Sequence, residues 1–279
     1  MGAVLKGKHR CVAGGAGLTI HHIKRSVPPG DFEDDAMDAI YTRHDAGPGN
    51  FSNAKFDAGW KISFEADEAA PRFPDLRVAS YPPRSLIVDE GDATSSVYEV
   101  VEGGVLLFKL LPDGRRQIIE VLGVGDVFGL SPNGVSDVGA ETLTKARIAI
   151  YEKRRVDADP DLRDRIFIRL RAQMCALHDH ALLLGRKSAQ ERVATFIMRL
   201  VPGRGGHACA GPIAGCDETR VDLAMTRQEI ADYLGLTIET VSRAFSALRR
   251  AGTIAYERQD CVVIPSVCQL CRLTGSHAA

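Results

Sequence analysis

The sequence predicts an α+β chain: an antiparallel barrel or roll in its middle, a long helix after that, and a winged helix-turn-helix near the C-terminal end. Three observations predict it. Short β-rich runs separated by glycine turns fill Tyr81 to Tyr151, with no helical pattern between them. An apolar repeat of helical spacing follows from Asp161 to about Gly185. Residues 226–252, TRQEIADYLGLTIETVSRAFSALRRAG, then carry two sets of helix-start signals joined by a glycine turn.

Composition narrows the class. The chain has 279 residues, room for two compact domains, with 45% hydrophobic and 25% charged residues as in soluble globular proteins. Lys plus Arg number 35 against 36 Asp plus Glu, a net charge of −1, so any nucleic-acid binding must come from a local arrangement and not from a polycationic tail. No run approaches the roughly 18 consecutive apolar residues of a membrane span. MGAVLKGKHR is neither a secretory signal nor a myristoylation motif. Seven cysteines, an odd number, argue against a secreted disulfide framework, and a cytoplasmic location is expected.

Residues 1–75 have weak periodicity, and RHDAGPGNFSNAKFDAGWK reads as loop, so this part is expected to be a partly ordered extension without an assigned role. The runs SLIVDE, VYEVVEGGVLLFKLL, RQIIEVL, DVFGL and ARIAIYE are the barrel strands, punctuated at Gly91, Gly103, Gly104, Gly114, Gly123, Gly125 and Gly129. LPDGRR is a hairpin, because Asp-Gly supplies the positive φ of a tight turn. In the long helix Leu170, Met174, Leu177, Ala181 and Leu184 recur at alternating steps of four and three. Such a seam packs either on the chain's own barrel or in a coiled-coil dimer interface, and the dimer is the favoured reading. Ser188-Ala-Gln-Glu191 is a capping box that opens a second amphipathic helix with Val193, Phe196, Ile197 and Leu200. VPGRGGHACAGPIAGCD reads as a connector.

Thr226-x-x-Glu229 is another capping box, opening a short helix that carries Ile230 and Leu234 and breaks at Gly235. Thr237 caps the next helix, in which Val241, Phe245 and Leu248 form the apolar face and Gly252 supplies the left-handed end. The second helix of such a motif fits the major groove. Glu239, Thr240, Ser242 and Arg243 lie in its first turns, where base edges are met: Arg bonds guanine O6 and N7 together, Glu accepts from cytosine N4, and Ser or Thr suit several edges. Arg249 and Arg250 can take phosphates. The bland alternative is a helical hairpin with a solvated charged face, but turn, caps and face polarity agree on a reading head. TIAYERQDCVVIP alternates like a small hairpin and makes the motif winged.

LLLGRKSAQERVATFIMRL and MTRQEIADYLGLTIETVSR resemble the FNR/FixK branch of the CRP/FNR transcription regulators. GDVFGL and the glycine-punctuated strands before it resemble the family's cyclic-nucleotide-binding-like β-roll, so that the resemblance covers about residues 75–275. It implies a sensor-like roll at 76–160, a dimerisation helix with the helix after it at 161–200, and a winged helix-turn-helix at 217–275. It also implies a homodimer on double-stranded DNA, reading a TTGA…TCAA palindrome through Glu239, Ser242 and Arg243. Thr226, Arg227, Thr237, Thr240, Arg249 and Arg250 are expected as backbone or accessory contacts. The resemblance further implies that Asp113, Gly114 and Arg115, in the LPDGRR turn, touch RNA polymerase, and that the regulator activates genes of oxygen-limited metabolism, in nitrogen fixation or microaerobic respiration.

Members of that family differ in their signal. Those that bind cyclic nucleotide use a Gly-Glu and an Arg-Ser pair, whereas here Leu130 follows GDVFG and DVGAETLTKAR holds no Arg-Ser, leaving a phosphodiester without its arginine clamp. FNR-like iron–sulfur sensors use an N-terminal cysteine trio plus one cysteine in the roll, but Cys11 alone precedes Cys175. The pattern is that of FixK-like members, often controlled by their own abundance, and no cofactor is expected. Cys209 and Cys216 lie near His207, and Cys268-x-x-Cys271 near Cys261; with one tight pair a zinc site is not predicted. Oxidative tuning of these thiols would need an exposed thiolate of lowered pKa. His178 and His180, two residues apart, point to different helix faces and cannot chelate together.

The rival class is a cupin-type metalloenzyme. No histidine lies between residues 45 and 177, so the barrel offers a metal no imidazole, and the chain has no Gly-x-Ser-x-Gly, phosphate loop or His-Glu-x-x-His. An enzyme is therefore not expected. The sequence does not separate an activator from a repressor gated by thiol redox or a small ligand.

Overall fold

Eight strands between Arg77 and Glu152 build the roll: β1 (Arg77–Tyr81), β2 (Leu86–Val88), β3 (Ser96–Glu102), β4 (Val105–Leu110), β5 (Arg116–Leu122), β6 (Val127–Phe128), β7 (Gly139–Thr142) and β8 (Ala146–Glu152). In this computed structural model the described residues are 77–202, 204, 217–258 and 260–275. The N-terminal extension with Cys11, and Cys209, Cys216 and His207 of the connector, lie outside them.

All pairings in the roll are antiparallel, in two four-stranded sheets of order β1-β8-β3-β6 and β2-β7-β4-β5. Strand β7, Gly-Ala-Glu-Thr, lacks the β-branched run that marks its neighbours, and pairing with β2 and β4 on either side makes it a strand. Strand β4 explains its own unbroken apolar run. Val105 and Leu107 join the roll interior with Val88, Val100, Leu122, Phe128 and Ile148. The alternate residues Leu106 and Phe108 belong to a second cluster with Val193, Phe196, Ile230 and Tyr233 of the C-terminal part. A strand covered on both faces has no polar side to show.

The hairpin between β4 and β5 turns at Gly114, with φ 84°. The Asp113 carboxylate accepts from the Arg115 backbone N–H at 3.1 Å and from its Nε at 2.7 Å. Helix α1 (Lys153–Ala158) leads to α2 (Pro160–Arg186), 27 residues long, which starts with proline at its first position and Asp159 as cap, accepting from the Leu162 N–H. At about 1.5 Å per residue α2 is about 40 Å long. It buries Leu162, Ile166, Gln173, His180 and Leu183, while Leu170 is half-buried on the roll and Leu184 on the C-terminal cluster. The opposite face leaves Phe167 60%, Ile168 46%, Met174 52% and Leu182 57% exposed.

Two residues, Lys187 and Ser188, separate α2 from α3 (Ala189–Arg199), whose capping box of Ser188 and Glu191 is formed. The C-terminal part comprises α4 (Arg227–Leu234), α5 (Ile238–Arg250), a three-stranded sheet in the order β10 (Ala255–Arg258), β11 (Cys261–Ile264), β9 (Thr219–Asp222), and α6 (Val267–Arg272). Among the described residues no helix is long and apolar enough to cross a membrane.

Candidate nucleic-acid interface

Local chemistry sets the reading head. The Thr226 side chain accepts from the Glu229 N–H, and the Glu229 carboxylate accepts from the Thr226 N–H at 2.7 Å, closing the box that starts α4. Gly235 ends α4 at φ 60°, ψ 43°, a left-handed conformation that a side chain would strain. Thr237 then caps α5 by accepting from the Thr240 N–H at 3.3 Å. Val241, Ala244, Phe245 and Leu248 bury the back of α5, so Glu239, Ser242, Arg243, Ser246, Arg249 and Arg250 face outward.

At the front, Arg243 donates to the Thr240 hydroxyl at 3.1 Å, which holds the guanidinium along the helix face. Hydrogen bonds from its own backbone amide and from Thr237 keep the Glu239 carboxyl below the ordinary carboxylate range, with Arg243 adding to the effect. Glu239 is therefore an acceptor at neutral pH. Ile238, the first residue of α5, is 37% exposed beside them, and the sequence reading did not count it. An apolar group at that place suits a thymine methyl.

Arg227 stands apart from the other expected contacts. Its guanidinium lies 3.7 Å from the Phe245 ring centroid and donates to the Tyr256 hydroxyl at 2.7 Å, and burial lowers its pKa. It ties α4 to α5 and to the wing strand β10. With Ser242, Phe245, Ser246, Arg249 and Tyr256 it lines a shallow cavity of about 270 Å³ beside the outward face. Thr226 and Thr237 act as helix caps. Asp113, Gly114 and Arg115 stand at the exposed tip of the β4–β5 hairpin, far in sequence from this face.

On the roll, the segment that resembles a nucleotide cradle is engaged by α2. Gln173 accepts from the Val127 N–H at 3.0 Å and donates to the Val127 carbonyl at 3.0 Å and to Glu120 at 3.1 Å. Burial raises Glu120 to about 7 and Asp126 to about 6. A Cβ on Gly125 would stand 2.9 Å from the Arg169 guanidinium, and one on Gly129 would stand 2.7 Å from the Tyr98 ring. His180 is buried and stacked on Tyr233 at 4.3 Å between centroids, whereas His178 is exposed, so the two imidazoles part as helical spacing demands.

Among the described residues no group of three metal-ligating side chains converges. Cys261 and Cys271 are buried, Cys268 is half-buried beside Arg204 at 3.2 Å, and Cys175 is exposed on α2. Burial and the carboxylates of Asp222 and Glu257 push the Cys261 thiol up, the reverse of what a reactive thiolate needs.

Residues 78–157 match the cyclic nucleotide-binding domain model, and residues 191–273 match the Crp-like helix-turn-helix domain model. The nitrogen fixation regulation protein FixK of Bradyrhizobium diazoefficiens is 40% identical over 173 residues, 61% of this chain and 70% of that protein. The transcriptional activatory protein AadR of Rhodopseudomonas palustris is 37% identical over 174 residues, 61% of this chain and 70% of that protein. The solved structure of FixK2 from Bradyrhizobium japonicum superposes with a TM-score of 0.61 at 33% identity, covering 73% of this chain and 99% of that one. These are regulators and not enzymes, which sets the metalloenzyme class aside. With both family domains in order and relatives of this identity, the chain belongs to the CRP/FNR family of DNA-binding transcription regulators, as a FixK-like member.

Proposed function

We infer that the chain is a homodimeric activator in the cytoplasm that reads a TTGA…TCAA palindrome at promoters of oxygen-limited metabolism. The observation that carries this reading is the outward face of α5, where Glu239, Ser242 and Arg243 stand exposed over a fully packed back. The half-site TTGA contains one G·C pair. Arg243 suits its guanine O6 and N7, Glu239 suits its cytosine N4, and Ser242 with Ile238 suits the neighbouring A·T pairs. Thr237, Thr240, Arg249 and Arg250 serve the backbone, while Arg227 acts through Phe245 and Tyr256.

The dimer seam runs along the exposed side of α2, through Phe167, Met174 and Ala181 with Ile168 and Leu182 beside them. This row shares Met174 and Ala181 with the sequence-predicted seam, while Leu170 and Leu184 pack on the chain's own clusters. An apolar stripe of this length on a soluble regulator calls for a second copy. The division into a roll at 76–160, dimer helices at 161–200 and a winged reading head at 217–275 belongs to the same proposal. So does a polymerase contact at Asp113, Gly114 and Arg115. The names of the FixK and AadR relatives support activation and a nitrogen-fixation setting.

Arg243→Ala tests the reading. It should cost about 1–3 kcal/mol on the palindrome, relax preference at one base pair, and leave affinity for random DNA unchanged. An equal loss on both duplexes would make Arg243 a phosphate contact and contradict the assignment.

A further inference from the structure

The reading head does not hang from the Lys187–Ser188 break alone, because the roll grips it directly. In the turn between β1 and β2, Arg84 donates to the Glu229 carboxylate and, at 3.2 Å, to the Ala224 carbonyl. Glu229 is buried and is the same residue that closes the capping box of α4. At the start of β5, Arg116 donates from Nε to Asp232 at 3.1 Å and from a terminal nitrogen to Glu141 at 3.5 Å, and Gln117 reaches the Tyr233 carbonyl at 3.4 Å. Two guanidinium groups of the roll thus hold two carboxylates three residues apart, on one face of α4.

Two features mark these pairs as more than surface charge. Asp232 and Glu229 have side chains only 10% and 6% exposed, where pairing is weakly screened. Arg84 is also the one non-glycine residue at positive φ, 61°, among the described residues, a backbone state that a side chain rarely adopts. Around the pairs Leu106, Phe108, Ile118 and Val121 make the apolar contact with the C-terminal cluster. That contact is non-directional and tolerates sliding. The planar guanidinium forks do not.

We propose that Arg84 and Arg116 are positioning residues for DNA reading: the pairs Arg84–Glu229 and Arg116–Asp232 clamp α4 to the roll, fix the direction in which α5 leaves it, and so set the half-site spacing that the dimer accepts. This rests on the dimeric, palindrome-reading function inferred above. In a two-fold dimer the two reading helices must enter grooves about 34 Å apart. One inserted base pair moves a half-site by about 3.4 Å and turns it by about a tenth of a helical turn.

The test uses the full chain as wild type, Arg116→Asp, Asp232→Arg and the double swap, titrated at one salt concentration. The duplexes are palindromes of natural spacing, the same with one or two base pairs added or removed, and an isolated half-site. In the swap Glu141 keeps Arg84 as a cationic neighbour. The wild type should prefer one spacing by about tenfold or more, the single variants should fall to about twofold while keeping their half-site affinity, and the double swap should restore the preference. If a single variant does not fold, Asp232→Ala removes the carboxylate without setting like charges together and gives the same comparison. Single variants with wild-type spacing ratios, a swap that fails to restore them, or half-site binding lost along with spacing would each overturn the clamp alone. A wild type without palindrome preference would overturn the underlying reading, and the clamp with it.

Discussion

Glu120 joins the roll to the long helix through one carboxyl. Burial, with the Asp126 charge adding to it, raises its pKa from 4.5 to about 7 against the pull of the Gln173 hydrogen bond. A carboxyl whose folded value lies above its unfolded one favours the fold in its protonated form. Its contribution is complete below about pH 4.5 and is lost as the pH rises through about 7. Glu120→Gln keeps the acceptor for Gln173 and removes the titration. The variant should match the wild type near pH 4 and exceed it by about 1–3 kcal/mol at pH 8, read as thermal unfolding against pH. Parallel curves at all pH values would contradict the assignment. Local features, such as the caps Thr226 and Thr237 and the outward-facing positions of Glu239 and Arg243, were legible in the sequence because helix register follows from neighbours three and four positions away. Arg84 and Arg116 were not, because their partners lie 145 and 116 residues further along the chain.

At the scale of elements, the β4–β5 hairpin projects from the roll with Leu110 and Leu111 exposed and Gly114 at its tip. Arg115 and Asp113 pair with each other in the open, so the pair contributes little to stability. Arg115→Ala should leave palindrome affinity unchanged and lower transcription from a dependent promoter by about tenfold. Loss of both together would make the turn a structural element and remove the polymerase contact. The hairpin was legible from Asp-Gly, and both capping boxes from their spacing. Strands β7 and β9 were not, since Gly-Ala-Glu-Thr and Thr-Arg-Val-Asp acquire strand geometry from their neighbours. The phase of the α2 stripe was half legible. Sequence spacing gives one seam through Leu170, Met174, Leu177, Ala181 and Leu184, and only the position of the roll splits it, turning Leu170 and Leu184 inward while Met174 faces out beside Phe167.

For the whole molecule, the proposed function depends on two reading heads held at a fixed separation. Met174→Glu places a charge in the exposed stripe of α2, away from the buried face, so the roll and the reading head should fold unchanged. The variant should sediment as a monomer and lose about a hundredfold or more on the palindrome while its isolated half-site affinity persists, since linking two heads supplies that factor without new contacts. A dimer that survives the substitution would place the interface elsewhere. Sequence-specific reading by α5 is tested most directly by titrating the purified wild type, in air and at one salt concentration, against a TTGA…TCAA duplex and a scrambled duplex of equal length. A preference of about a thousandfold or more for the palindrome is expected, and equal affinity for both duplexes, with or without reductant, would rule out base reading by this helix.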